Sequence, residues 1–413
     1  MARISTPVRA LCGLLAAAAL LVLASCAAPQ PPTAPPPQPV PGSATPWPVT
    51  PPGTTAPLTG PAVRLIAANW ADLPGWEADD FDGVWQALRR DCGARLPETL
   101  AAICPRAAAV PAQDVSAQRA FIEAQLAPWL VAPAAPNGAS GAGLITGYYE
   151  PVLHGALQRG WPYVVPVWGL PADLVPRTPT ADGISGGRVA WVDGQQRVLP
   201  YWSRGQIQAD PAVQALLDRR VVVWLDSAVD ALFLQVQGSG LVRLPDGQML
   251  RLSYAGTNGW PYKSVGRWLL DTGRVQGTVT MSTIRAWAQL HPDDVPQMLA
   301  SNPRVVFFNA TPDTDPQRGP TGALGVPLTA MRSIAVDKSA IALGLPVWLS
   351  TQQPYSTSTP TPQALNRLVF AQDVGSAITG VVRADLFTGT GDAAGDLAGR
   401  MQWPGRMWVL LPR

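Results

Sequence analysis

Histidine is almost missing from this chain: only His154 and His291 occur in 413 residues. That removes the usual general base and the commonest metal ligand from most of the molecule. Charged residues are also scarce, at 14%. With 30 basic and 28 acidic side chains, the net charge is only +2 and no Lys/Arg stripe or block occurs. Nucleic acid is therefore not an expected ligand. The first 25 residues contain no acid at all, only Arg3 and Arg9. Cysteine is limited to four positions, and no P-loop or dinucleotide fingerprint is present. No metal site and no cofactor are expected.

The abundant residues point the other way. Hydrophobic residues make up 47%, enough for a sizeable core, and the length suggests two domains. Proline (45) and glycine (38) punctuate short apolar runs, which favours strands, turns and loops over helical bundles. The fold class expected is mainly β with peripheral helices.

The N-terminus reads as an address. Arg3 and Arg9 precede an apolar run from Leu11 to Ala24, which is a secretory signal pattern and short for a membrane span. Its end, Leu23-Ala24-Ser25-Cys26, resembles a bacterial lipobox. Cleavage after residue 25 would leave Cys26 as the acylated first residue, an anchor of several acyl chains. Ala27 in place of Asp after that cysteine resembles sorting to the outer membrane in Gram-negative lipoproteins. Residues 26–62 are too rich in proline to build a core and are expected to form a polyproline II tether. At about 3 Å per residue it would reach roughly 100 Å. Of the remaining cysteines, Cys92 and Cys104 stand twelve apart in an exported chain, which suggests one disulfide, with two reduced thiols as the alternative.

From Leu65 to Leu130 the pattern is helical, with "FDGVWQALRRDCGARL" and "SAQRAFIEAQLAPWL" carrying apolar residues near 3.6 spacing. Short helices also fit "DPAVQALLDR" and "MSTIRAWAQLH". Strands are expected in "LITGYYEPVL", "RVVVWLD", "PRVVFFNA", "LPVWLS", "RLVFAQD" and "GRMWVLLP", and over the whole of Ala231 to Gly256. In the last of these, Asp246-Gly247 separates two alternating runs, a hairpin signal.

Three stretches place polar groups among small residues. In "ITGYYEP", Thr146 leads to Tyr148 and Tyr149, which a strand turns to opposite faces. In "QVQGSG", read as a strand, Gln235, Gln237 and Ser239 share one face. Gly238 and Gly240 there would let a ligand approach the backbone. Amides and hydroxyls suit sugar hydroxyl and acetamido groups. In the C-terminal third, Asp337, Asp373 and Asp385 stand in strand and turn contexts rather than on a solvated acidic face.

Taken together, these stretches resemble one family. "LITGYYEPVL", "YWSRGQI", "FLQVQGSG", "YAGTNGWPYKSVGRWL", "NPRVVFF", "AVDKSAIALG", "AQDVGSAITG", "RADLFTGTGDAAGDLAGRM" and "GRMWVLLP" resemble, in order, membrane-bound lytic murein transglycosylase A. The resemblance runs from about Gly143 to the C-terminus and does not cover the proline-rich region. It implies a double-psi β-barrel domain from residues 63–150 and 314–413, interrupted by a smaller β-barrel at 151–313, with a glycan groove between them. The C-terminal part is similar to the "3D" domain, named for three aspartates that map to Asp337, Asp373 and Asp385. By its place in "RADLF", Asp385 resembles the acid/base, tuned by Asp373 and Asp337. Thr146, Tyr148, Tyr149, Gln237, Gly238, Ser239 and Gly240 would then contact the glycan. The implied setting is the periplasmic face of the outer membrane, with peptidoglycan as partner. A muramidase using water and a non-catalytic peptidoglycan-binding lipoprotein are the alternatives.

Overall fold

The computed structural model describes residues 58–134, 141–315, 318–354 and 362–413. The signal segment, Cys26 and nearly all of the expected tether lie outside the described residues. The far end of that tether does not. Leu58 is buried, its carbonyl accepts from the Ala342 N–H, and Gly60 donates to the Ala340 carbonyl. Proline density stops at this point, so the chain regains amide donors and can dock.

The chain starts one sheet, leaves it, and returns to finish it. β1 (Val63–Ala67), β2 (Leu126–Pro133) and β3 (Ala142–Glu150) open the first sheet. A second sheet takes β4 (Val152–Ala156) and β5 (Val165–Trp168). A small three-stranded sheet follows, with β6 (Val175–Pro176), β7 (Gly186–Val192) and β8 (Gln195–Pro200). The second sheet is then completed by β9 (Val221–Leu225), β10 (Ser239–Arg243), β11 (Met249–Thr257) and β12 (Val306–Pro312). Finally β13 (Ser333–Val336), β14 (Pro346–Pro354), β15 (Pro362–Asp373), β16 (Arg383–Thr390) and β17 (Gln402–Pro412) return to the first.

In that first sheet the order β17-β14-β15-β13-β16-β3 closes on itself, because β17 also pairs with β3. The ring contains two parallel pairs, β13 with β15 and β16 with β3. Its strands read as continuous apolar runs because both faces are covered. Val347, Leu349, Val369, Ala371, Met407 and Val409 point into the ring with Ile145, Ile334 and Leu386. Their neighbours Trp348, Leu368, Phe370, Trp408 and Leu410 point outward, onto Trp76, Phe81, Trp85, Leu88 and Ile122 of the N-terminal segment.

That segment is less helical than its periodicity suggests. Its helices are Val84–Cys92, two short ones and Val115–Gln125, while β1 and β2 occupy the two ends. Pro128 lies inside β2 and cannot continue a helix, so "LAPWL" extends and pairs with β1 and β17. Cys92 and Cys104 are joined in a disulfide, which ties the end of the first helix to the short Cys104–Ala107 helix.

Residues 231–237 correct the sequence reading. Ala228–Gln237 is an α-helix, started by Ser227, whose side chain accepts the Asp230 N–H, and ended by Gly238 at φ 83°. A short apolar run is ambiguous between helix and strand, and the Ser227…Asp230 cap decides it. The hairpin at Asp246-Gly247 forms as expected, with Arg243 opposite Met249 and Gly247 at φ 86°.

Both passages between the two sheets are fastened by one arginine. Arg251 of β11 pairs with Glu150, the last residue of β3, and with Asp313, just past β12, at 3.1 Å. Thr390 donates to the other Glu150 oxygen at 3.0 Å. Glu150 has no solvent exposure, and such a carboxylate needs all of these partners.

Candidate active-site groove

A cavity of about 300 Å³ lies where the first and second sheets meet. Strand ends of the ring supply its acids. β16 runs parallel to β3 with Asp385 opposite Thr146, and the Thr146 hydroxyl donates to Asp385 Oδ1 at 2.5 Å. Asp373 ends β15 and accepts from Tyr148 Oη at 2.8 Å, the Val374 N–H at 2.9 Å and the Ala323 N–H at 3.0 Å. Thr146 and Tyr148 are two apart on β3, so they share a face and hold the two aspartates side by side.

Asp385 reaches the cavity but is otherwise surrounded by protein. That burial pushes its carboxyl up to about 6; the Thr146 hydroxyl and the Arg383 guanidinium work against it, and the Asp373 charge adds to it. Burial also raises Asp373, opposed by its three hydrogen-bond donors. Tyr148 is pushed well above the usual phenol range, by burial first and then by the Asp373 charge. Tyr148 therefore stays a donor. A carboxyl group held near 6 exchanges a proton readily near neutral pH, which suits an acid that must later act as a base.

The third aspartate behaves otherwise. Asp337 follows β13 and sits in a turn, where it accepts from the Ser339 hydroxyl at 2.6 Å, the Ser339 N–H at 2.9 Å and the Gly380 N–H at 2.8 Å. These donors, the hydroxyl foremost, lower its pKa. It does not line the cavity and is not a source of the Asp385 shift, contrary to the expected tuning by its charge. Its bond to Gly380 instead anchors the loop between Asp373 and Asp385.

The other expected contacts divide. Tyr148, Gln237 and Gly238 line the cavity, as does Gln235. Tyr149 does not: its alternate position on β3 packs the ring against Gly395, beside a different cavity that also holds Arg285 and Asp392. Ser239 starts β10 and is outside the groove. A Cβ at Gly240 would meet the Leu234 Cδ1 at 2.6 Å, so that glycine admits a helix side chain rather than a ligand. Both expectations rest on reading 231–237 as strand, whereas the helix ends at Gln237 and resets which face each residue uses.

Several lining residues went unread in the sequence. Arg383 lies two positions before Asp385 on β16, a spacing that alternation alone reveals. Tyr254, Tyr262 and Arg304 come from the second sheet and its connections, and residues 374–378 form the loop after Asp373. No local pattern marks these. The two histidines lie elsewhere: His154 lines the cavity beside Tyr149, and His291 stacks on Trp287.

Known proteins with the same pattern can now be set beside this geometry. Residues 144–309 match the family described as "MltA specific insert domain", and 332–411 match the "3D domain". The membrane-bound lytic murein transglycosylase A of Escherichia coli strain K12 is 33% identical over 268 residues; the alignment spans 64% of this chain and 64% of that relative's length. The crystal structure of MltA from Neisseria gonorrhoeae superposes with a TM-score of 0.72 at 33% identity, covering 88% of this chain and 96% of that one. Escherichia coli MltA with bound chitohexaose gives a TM-score of 0.61 at 27% identity, covering 81% and 90%.

Proposed function

This chain belongs to the membrane-bound lytic murein transglycosylase A family, and on that premise we propose that its groove cleaves peptidoglycan without water. The bond cut is the β-1,4 link between N-acetylmuramic acid and N-acetylglucosamine. The observation that carries this is Asp385, held near pKa 6 in a cavity beside Asp373. The binding of chitohexaose by a relative of the same fold supports a glycan in the groove.

Asp385 enters protonated and gives its proton to the glycosidic oxygen as the bond to the muramoyl C1 breaks. The N-acetylglucosamine side leaves as an alcohol. The resulting carboxylate then takes the proton of the muramoyl C6 hydroxyl, and that oxygen bonds to C1. A 1,6-anhydromuramoyl end forms, Asp385 regains its proton, and no water is consumed. Ordinary glycosidases need a second carboxyl group to activate water or attack directly. An internal nucleophile removes that need and gains from proximity. Asp373 raises the Asp385 pKa, Tyr148 and Thr146 fix the two carboxyl groups, and Asp337 holds the intervening loop.

In this reading the closed six-stranded ring is a double-psi barrel from 63–150 and 314–413, its two parallel pairs consistent with that topology. Residues 151–313 form the insert. No helix among the described residues is long and apolar enough to cross a membrane. Attachment through acylated Cys26, at the periplasmic face of the outer membrane, is part of the proposal.

Mass spectrometry of digested murein sacculi tests the chemistry. The expected products are one water lighter than those of a muramidase. Hydrated ends would point to hydrolysis, and intact sacculi carrying bound protein would point to a non-catalytic lipoprotein.

A further inference from the structure

We infer that Gln235 and Gln237 make the groove select N-acetylated over N-deacetylated glycans, by presenting their NH₂ groups to the ligand; this rests on the glycan-cleaving function proposed above. A glutamine amide has an accepting end and a donating end, and either can face a ligand. Here the partners decide. The Gln235 oxygen accepts from Arg204 Nη2 at 2.8 Å and from the Val306 N–H at 3.0 Å. The Gln237 oxygen accepts from the Tyr149 N–H at 3.1 Å. Neither a guanidinium nor a backbone N–H can accept, so a flipped amide would set donor against donor.

The orientation is fixed before any ligand arrives. Arg204 is buried, with its remaining bonds to the carbonyls of Asn302 at 3.1 Å and Arg304 at 2.5 Å. Tyr149 N–H belongs to β3 and Val306 N–H to β12, so each amide oxygen is turned to a strand and each NH₂ away from it. Both NH₂ groups are left without a hydrogen-bond partner among the described residues, on side chains that line the cavity. The guanidinium groups of the wall, Arg304 and Arg383, are also donors only, and its acceptors are the carboxyl groups of Asp373 and Asp385.

Such a wall distinguishes ligands by what can accept. A sugar hydroxyl pairs with a donor or an acceptor and gives little discrimination. An acetamido carbonyl only accepts, and so matches. An ammonium at the same carbon cannot accept and leaves the amide unpaired.

The test is calorimetric binding to the Asp385→Asn protein, in which turnover is blocked, using chitohexaose and its fully N-deacetylated hexamer. Chitohexaose should bind at least about tenfold tighter, the size of one lost hydrogen bond. Gln235→Glu and Gln237→Glu keep the bonds to Arg204, Val306 and Tyr149 but turn an acceptor to the groove. Each should lower chitohexaose affinity about tenfold and shrink the preference. Gln237→Met, lacking both ends, should shrink it too and is read in place of any Glu variant that circular dichroism shows unfolded. A preference unchanged in the variants, or equal affinities in the parent, would overturn the inference while sacculus cleavage by the wild type kept the proposed function standing. If neither hexamer binds and the wild type leaves sacculi intact, the proposed function fails and this inference fails with it.

Discussion

Asp385 and Asp337 stand on neighbouring antiparallel strands, with Asp385 opposite Ala335 and Asp337 just past the strand's end. The same functional group meets opposite surroundings. At the groove, Asp385 has one hydroxyl donor, limited solvent and a second carboxyl group nearby, and its pKa rises to about 6. In the turn, Asp337 has three donors and little desolvation to oppose them, and its pKa falls. Two residues of backbone separate the proposed proton donor from a loop anchor. Depth and donor count, rather than residue type, set what a carboxyl group can do.

The sharpest way to break this contrast is to exchange each acid for its amide. Asp385→Asn is expected to keep the fold and lose about 10²–10⁴-fold in sacculus solubilisation. Asp337→Asn is expected to stay within about tenfold of wild type, since it removes hydrogen bonds of a loop and not the proton. An equal collapse of both, with normal thermal melts, would mean that the third aspartate joins the chemistry.

Asp91 extends the comparison to an acid buried outside the groove. It is 1% exposed, and burial pushes its carboxyl up to about 8 against the Gln372 amide, which bonds it at 2.5 Å. In the unfolded chain an aspartate titrates at about 3.9. The folded state thus binds this proton more tightly, and its stabilising effect is complete below about pH 4. That effect is lost as pH rises towards 8. In urea titrations Asp91→Asn should therefore flatten the pH dependence of stability. Its advantage over wild type should grow between pH 4 and 8, to on the order of a few kcal/mol. Parallel curves would show that Asp91 ionises freely.

The smallest expected effect lies within the groove. The proposed general acid, Asp385, must be protonated, so the rate should hold below about pH 6 and decline above it. The Asp373 charge contributes to that pKa. Asp373→Asn should move the alkaline limb to lower pH, by up to about one unit. A limb that stays put or moves up would remove Asp373 from its tuning role.

Much of the ring was legible beforehand because its strands carry unbroken apolar runs, and Asp246-Gly247 marked a hairpin by its turn chemistry alone. "ITGYYEP" also gave the two-faced placement of Tyr148 and Tyr149, although only one of them meets the groove. The stretch "ALFLQVQ" misled, since seven apolar-rich residues fit a helix as well as a strand. That one choice set Ser239 on the face of Gln237 on paper, with Gly240 beside it.

What the chain determined locally is what short-range chemistry can encode: strand alternation, turns, helix caps, and three aspartates in turn and strand contexts. Closure of the ring through β17 and β3, the pairing of Thr146 with Asp385 across 239 positions, and the locked amides of Gln235 and Gln237 arose only in the tertiary structure. A pKa depends on depth and on neighbours brought from far along the chain. Neither quantity exists until the strands are in register.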